Sequence, residues 1–199
     1  MRADLASLRG VDERPTPEVP EASLKPTAAG LRPEGPGWFV LNLAESAWSG
    51  APGWGRFADI EPGAPGFEQV GINVHVLDPG ERNGLYHGEG TQEGFLVLSG
   101  ECLLLIEGRE RRLKQWDFVH TPAWTRHIFV GAGGGPCAIL MVGARVGEES
   151  FEYPVDEVAL RHRAGAERAT TSPLDAYTQA GATEFEPQPY RPGDLGEPA

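Results

Sequence analysis

The chain has 199 residues, enough for one domain with appendages. Its 17 Lys and Arg stand against 29 Asp and Glu, a formal net charge of −12. That balance repels phosphate backbones and anionic lipid surfaces, and no basic block offsets it, so neither nucleic acid nor a membrane surface is an expected partner. Two cysteines, Cys102 and Cys137, are too few and too far apart for a disulfide framework or a Cys-based zinc site, and both fall in apolar runs as buried structural thiols would. Met1 to Gly10 lacks the apolar core of a signal peptide, and no run approaches the ~20 apolar residues of a membrane span. A soluble cytoplasmic protein is the default expectation.

Residues 14–37 carry Pro15, Pro17, Pro20, Pro26, Pro33 and Pro36 with almost no large apolar side chain, and residues 1–37 read as an extended or flexible arm. Trp38 to Leu41 reads as a short strand that packs onto a neighbour. Trp48, Trp54 and Phe57 then punctuate a glycine-rich stretch, as in a loop pinned by buried aromatics. From Val70 to Gly143 short β runs follow one another with turn signals between them. Val70–Leu77 stops at Asp78-Pro79-Gly80, Gly94–Leu98 at Ser99-Gly100, and Cys102–Ile106 at Glu107-Gly108. Leu113, Trp116–Val119, Ile128–Val130 and Cys137–Val142 continue the series. No long helical period interrupts it, so an all-β sandwich or barrel is expected over 38–149. Gly131 to Pro136 lacks the ending of a phosphate loop and reads as a hairpin turn.

After Ser150, Val155–Ala164 fits a short helix, with Asp156 and Glu157 at its start and Arg161, His162 and Arg163 at its end. Ser172-Pro173 caps a second one. Glu184 to Ala199 is rich in Pro and Gly and reads as irregular. Residues 150–199 thus form a tail with short helices, packed on the barrel or on a partner subunit.

The chemistry concentrates in two segments. In Tyr86-His87-Gly88-Glu89-Gly90-Thr91-Gln92-Glu93, the residues His87, Glu89 and Glu93 are separated by even offsets, so alternation puts all three on one strand face if the phase is kept. Inside a small barrel such groups are costly unless paired or metal-bound, and imidazole with carboxylate suits Mn, Fe, Ni or Zn. In the second segment Pro122 introduces a tight connection and His127 opens the next strand, returning an imidazole to the same interior. His75 lines the cup or faces out depending on strand phase, and His120 belongs to the other face from Val119 and Thr121. Neither is expected to be a ligand, and His162 is expected to be solvated. No Gly-x-Ser-x-Gly elbow or basic partner for either cysteine supports nucleophilic catalysis.

Together these segments resemble the cupin family. Its first motif runs Gly, several residues, His-x-His, three or four residues, Glu, six residues, Gly. Gly80, His87, Glu93 and Gly100 stand at those places, with Glu89 where the second His is usual. In the second motif Pro122 and His127 match in spacing, Trp124 and Trp116 replace two glycines, and Gly131 replaces the final Asn. The resemblance spans roughly residues 66 to 146, less than half of the chain. It implies a double-stranded β-helix (jelly-roll) barrel holding one divalent metal ion, Fe, Mn, Zn or Ni, through His87, Glu93 and His127. Glu89 is then a fourth ligand or a base beside them. It further implies a metalloenzyme acting on a small polar molecule, with a dioxygenase-like reaction favoured; a non-catalytic metal-dependent binding or sensing module is the alternative. A homodimer is expected by the same analogy, with the N-terminal arm crossing to the second subunit.

Overall fold

The computed structural model describes residues 18–63, 66–146 and 150–196. In chain order, a hairpin of β1 (Ser23–Thr27) and β2 (Gly30–Glu34) precedes two short strands, β3 (Trp48–Gly50) and β4 (Arg56–Ala58). The central run is β5 (Val70–Leu77), β6 (Gly88–Glu89), β7 (Glu93–Ser99), β8 (Glu101–Ile106), β9 (Arg109–Lys114), β10 (Phe118–Thr121), β11 (His127–Ala132) and β12 (Cys137–Ala144). β13 (Phe151–Glu152), α1 (Glu157–Arg161), α2 (Pro173–Gln179) and β14 (Glu186–Gln188) complete the described chain.

Seven strands form one antiparallel sheet in the order β10-β7-β12-β5-β4-β3-β14, and β11-β8-β9 form a second. Consecutive strands switch between these two sheets at β7–β8, β9–β10, β10–β11 and β11–β12, which gives the jelly roll. The first switch needs Gly100, whose φ is 73° and where a Cβ would stand 2.2 Å from the carbonyl oxygen of Pro136. Alternation fills the space between the sheets. Phe95 and Val97 of β7, Ile139 and Cys137 of β12 and Leu77 of β5 meet Cys102, Leu104 and Phe129 of the smaller sheet. The outer face of that smaller sheet is covered by Tyr86 and by Ala159 of α1.

Several expectations for the ends of the barrel need correction. Residues 23–34, within the supposed flexible arm, form the β1–β2 hairpin, and Leu31 exchanges backbone hydrogen bonds with Glu45 and Ala47 of its own chain. Ladder bonds to the chain's own main domain supply the stabilisation that apolar composition does not; the first 17 residues lie outside the described ones. Trp38 to Leu41 is no strand: Trp38 makes a single bridge to Glu21 and is 52% exposed, and Val40 is 79% exposed. Gly131 to Pro136 joins two different sheets, so it is a crossover and not a hairpin turn. The first tail helix is shorter than its charge pattern suggested, ending where Arg163 turns to a φ of 58°. The last segment is not wholly irregular, since β14 pairs with β3 and extends the large sheet.

A buried charge network holds that last segment down. Arg56 is 3% exposed, donates to Asp194 at 3.1 and 2.7 Å from Nε and Nη2, and reaches Asp78 at 3.0 Å. Burial alone would lower the Arg56 pKa; the two carboxylates outweigh it and hold the guanidinium protonated. Removing Asp194 takes away the buried partner and leaves the guanidinium only the half-exposed Asp78. Asp194→Ala should therefore cost about 3–5 kcal/mol in urea unfolding, whereas Lys25→Ala, which breaks an exposed pair with Glu34, should change it by less than about 0.5 kcal/mol.

The two tryptophans at glycine positions of the second motif keep the glycine backbone. Trp116 has a φ of 72° and Trp124 of 69°, both in the left-handed region that costs an L-residue strain. Trp116 is 68% exposed, so little packing offsets that cost. Trp116→Gly should be more stable than Trp116→Ala by about 1 kcal/mol in thermal or urea unfolding; equal stabilities would contradict a strained turn.

Candidate metal centre

β11 and the residues just before β6 run antiparallel, with His87 and His127 as a directly opposed, doubly hydrogen-bonded backbone pair. Phe129 of β11 is in the core, so His127, two residues earlier, faces inward, and His87 opposite it does the same. Their rings lie 5.5 Å apart between centroids. Glu93 opens β7 on the same inner face as Phe95, opposite Thr121 on one side and Gly143 on the other. Its Oε2 stands 3.3 Å from Nε2 of His127. A short turn separates Glu89, on β6, from Glu93 without losing phase. A Cβ at Gly143 would lie 4.0 Å from Oε1 of each of the two carboxylates, so both reach the same point beside β12.

The histidines are set up alike. Nδ1 of His87 is 2.7 Å from the carbonyl oxygen of Leu85, and Nδ1 of His127 is 2.9 Å from that of Thr125. A carbonyl only accepts, so each Nδ1 carries the proton and each neutral ring presents the lone pair of Nε2 to the interior. Burial lowers the pKa of both. His127 is depressed to about 4, with the His87 ring adding to the effect, and the Leu85 carbonyl and Glu89 only partly oppose the drop at His87. Burial, reinforced by the Glu89 charge, pushes Glu93 up to about 8. The close approach of Glu93 and His127 is therefore not an ion pair at neutral pH. A protonated Glu93 donates to the Nε2 lone pair of a neutral imidazole.

The inward aim read from the alternation thus holds for His87, Glu93 and His127, and Glu89 lies beside Glu93. Among the described residues, no group of three or more His, Cys, Asp or Glu side chains is gathered tightly enough to hold an ion as it stands. The donor types, the tautomers and the shared space nevertheless fit a divalent cation, which needs deprotonated ligands and would take the place of the Glu93 proton. Thr91, which the motif did not single out, donates to Oε1 of Glu89 at 2.5 Å and fixes that carboxylate. Phe151 and Tyr153 flank the His87 ring with centroids at 6.1 and 5.6 Å, and Phe95 lies 5.0 Å from the His127 ring. Thr91 was findable as a hydroxyl two residues from Glu89. The two aromatics after Ser150 follow the motifs in sequence and carried no signal of their own.

His75 shares its face with Leu77 and so lines the barrel interior, tilted against Phe57 at 5.6 Å and apart from the four residues above. His120 pairs with Gly94 on the opposite face from Val119 and Thr121, as its phase predicts. His162, 3.0 Å from Glu110, stands on the outer side of the smaller sheet. A cavity of about 230 Å³ opens next to the site, lined by Asn73, Glu89, Thr91, Glu93, Met141 and Phe151.

Residues 73–143 match the family model of the cupin domain. Residues 73–143 thus form a cupin domain within the longer chain. No curated protein matches it. Among solved structures it is similar to a proposed sugar phosphate isomerase of Acidithiobacillus ferrooxidans (27% identity over 43% of this chain, TM-score 0.42). It is also similar to the polyketide cyclase RemF of Streptomyces resistomycificus (18% over 47%, TM-score 0.41). A third is an RmlC-like cupin family protein of Methanocaldococcus jannaschii with a double-stranded β-helix fold (23% over 39%, TM-score 0.36). The matches span 56%, 66% and 71% of those three chains.

Glu93, with a folded-state pKa of about 8 against 4.5, contributes stability that is fully present below about pH 4.5 and is lost as pH rises through about 8. His127, at about 4 against 6.5, contributes stability present above about pH 6.5 and lost as pH falls through about 4. Between pH 6.5 and 8 only the Glu93 contribution still changes. Chelator-treated protein should therefore lose roughly 1.5 kcal/mol of unfolding free energy across that window, and Glu93→Gln should flatten the slope.

Proposed function

We propose that the cupin domain holds one divalent metal ion through His87, Glu93 and His127, with Glu89 as a fourth ligand, and that the protein is a metalloenzyme acting on a small polar metabolite. The observation that supports this best is the pair of buried imidazoles. Both are pinned through Nδ1 to backbone carbonyls and present Nε2 to the interior, and Nε2 of His127 stands 3.3 Å from the Glu93 carboxyl group. Two imidazoles with one or two carboxylates suit Fe, Mn, Zn or Ni, and ligation by both carboxylates favours the harder Mn and Fe. Such an ion supplies Lewis acidity and open coordination positions to a substrate.

The chain's own side chains have separable tasks. The Leu85 and Thr125 carbonyls hold the imidazole tautomers. Thr91 occupies one oxygen of Glu89 and leaves the other for the ion or for a substrate proton. Phe95, Phe151 and Tyr153 wall the rings off from water. The cavity of about 230 Å³ has room for a small metabolite and brings it against Glu89 and Glu93. A dioxygenase-like reaction is favoured, because a two-histidine, one-carboxylate face leaves positions for oxygen and substrate together. The second reading, a non-catalytic binding or sensing module, draws on the same uncommitted oxygen of Glu89. Four tightly held protein ligands that leave no open position would give an ion that only braces the cup.

Elemental analysis of purified protein beside the His87→Ala, His127→Ala double variant tests the site. About one ion per chain in the parent, absent from a variant with an unchanged circular dichroism spectrum, is the expected result. Equal metal in both would remove the proposal. Loading the stripped protein at pH 7 should also release about one proton per ion, as Glu93 ionises, measured by calorimetry in buffers of different ionisation enthalpy. Glu93→Gln should abolish that release.

A further inference from the structure

Arg56, Arg126, Arg145 and Arg161 each meet a carboxylate, whereas Arg82 and Arg163 meet none among the described residues. Arg82 lies half-buried in the connection between β5 and β6, its Cζ 3.7 Å from the centre of the Trp54 ring. Trp54 is in turn stacked on Tyr177 at 5.3 Å, so the guanidinium rests on a fixed platform. Its hydrogen bonding is incomplete. Nε is buried without an acceptor, Nη1 has a long 3.5 Å contact with the Gly53 carbonyl oxygen, and Nη2 has no acceptor among the described residues. Arg163 stands exposed in the turn after α1, at a φ of 58°. The Tyr86 N–H donates to the Ala164 carbonyl oxygen at 2.6 Å, which ties that turn to the segment carrying Arg82. Burial lowers the Arg82 pKa, the charge of Arg163 lowers it further, and Tyr177 alone opposes them.

We propose that Arg82 and Arg163 together bind a phosphate group, at a site separate from the candidate metal centre. A guanidinium stays protonated at physiological pH, so a half-buried one calls for a negative partner. The chain has 29 acidic residues against 17 basic ones, yet its fold brings no described carboxylate to this pair. The charge is left for a ligand to match. A planar carboxylate is filled by one guanidinium fork, whereas a tetrahedral dianion has oxygens and charge enough for two. Trp54 takes the flat face of Arg82 and leaves its Nη edge to the ligand. The net charge of −12 does not forbid an anion here. Charges beyond about 8 Å are screened at physiological salt, while the two guanidiniums act at contact.

Isothermal titration of inorganic phosphate into the chelator-treated full chain, and into its His87→Ala, His127→Ala variant, tests the site apart from any metal. Both should bind one phosphate per chain with a dissociation constant of about 1 mM or tighter. Arg82→Gln and Arg163→Gln should each weaken binding at least about tenfold at an unchanged thermal unfolding midpoint. Arg163 is exposed, so its variant keeps the test decisive if Arg82→Gln disturbs folding. Arg109→Gln, which removes an exposed arginine of β9, should bind as the parent does. Acetate should bind at least about tenfold more weakly than phosphate. Glycerol phosphate binding as tightly as inorganic phosphate would assign the site to the phosphate group of a larger molecule, and binding of inorganic phosphate alone to the free ion. No saturable phosphate binding below about 10 mM, or an unchanged affinity in a folded variant of either arginine, would overturn the proposal. Loss of binding in the histidine variant alone, or acetate binding as tightly as phosphate, would overturn it equally.

Discussion

A carboxyl group inside a closed sheet must be matched by a proton or by a cation, and the candidate site is organised around that constraint. Glu93 points inward because β7 alternates and Phe95 and Val97 must fill the core. Burial and the neighbouring Glu89 then make its ionisation costly, and among the described side chains its near partner is an imidazole that is itself kept neutral. A proton balances the site at neutral pH in the absence of metal. Under the proposed function a divalent ion replaces that proton, and the free energy of binding is drawn partly from relieving the mismatch.

The opposite solution operates where the tail meets the large sheet. Arg56 is as deeply buried as His127, yet it is ionised, because Asp194 and Asp78 supply two carboxylates within hydrogen-bond distance. One buried ionisable group is satisfied within the fold, and under the proposed function the other is left to a metal ion. On that proposal the difference separates a structural charge from a functional one and favours Glu93 over the more conspicuous ion pairs on the surface.

The barrel was legible because its signals are local. β5 follows the Val70–Leu77 alternation residue for residue, and the Asp156 and Ser172 caps fix the starts of α1 and α2. The spacing of His87, Glu93 and His127 carried their inward aim, since alternation converts offsets into facing. What failed depended on pairings distant in sequence. Nothing in Glu186–Gln188 announces that it will pair with Trp48–Gly50, and nothing in the proline-rich segment announces the bonds from Leu31 to Glu45 and Ala47. Gly131 to Pro136 has the composition of a hairpin turn, but Val130 pairs with Leu103 in one sheet and Ala138 with Val76 in the other. The aromatic wall of Phe151 and Tyr153 was hidden for the same reason, because β13 reaches β6 from beyond the barrel strands.

The most direct measurement is a crystal structure of protein grown with manganese, with anomalous diffraction recorded on both sides of the metal absorption edge. The account places one anomalous peak about 2.0–2.3 Å from Nε2 of His87, Nε2 of His127 and a carboxylate oxygen of Glu93, with Glu93 turned off its hydrogen bond to His127. No peak in the barrel at saturating metal, with the Glu93–His127 contact intact, would contradict it.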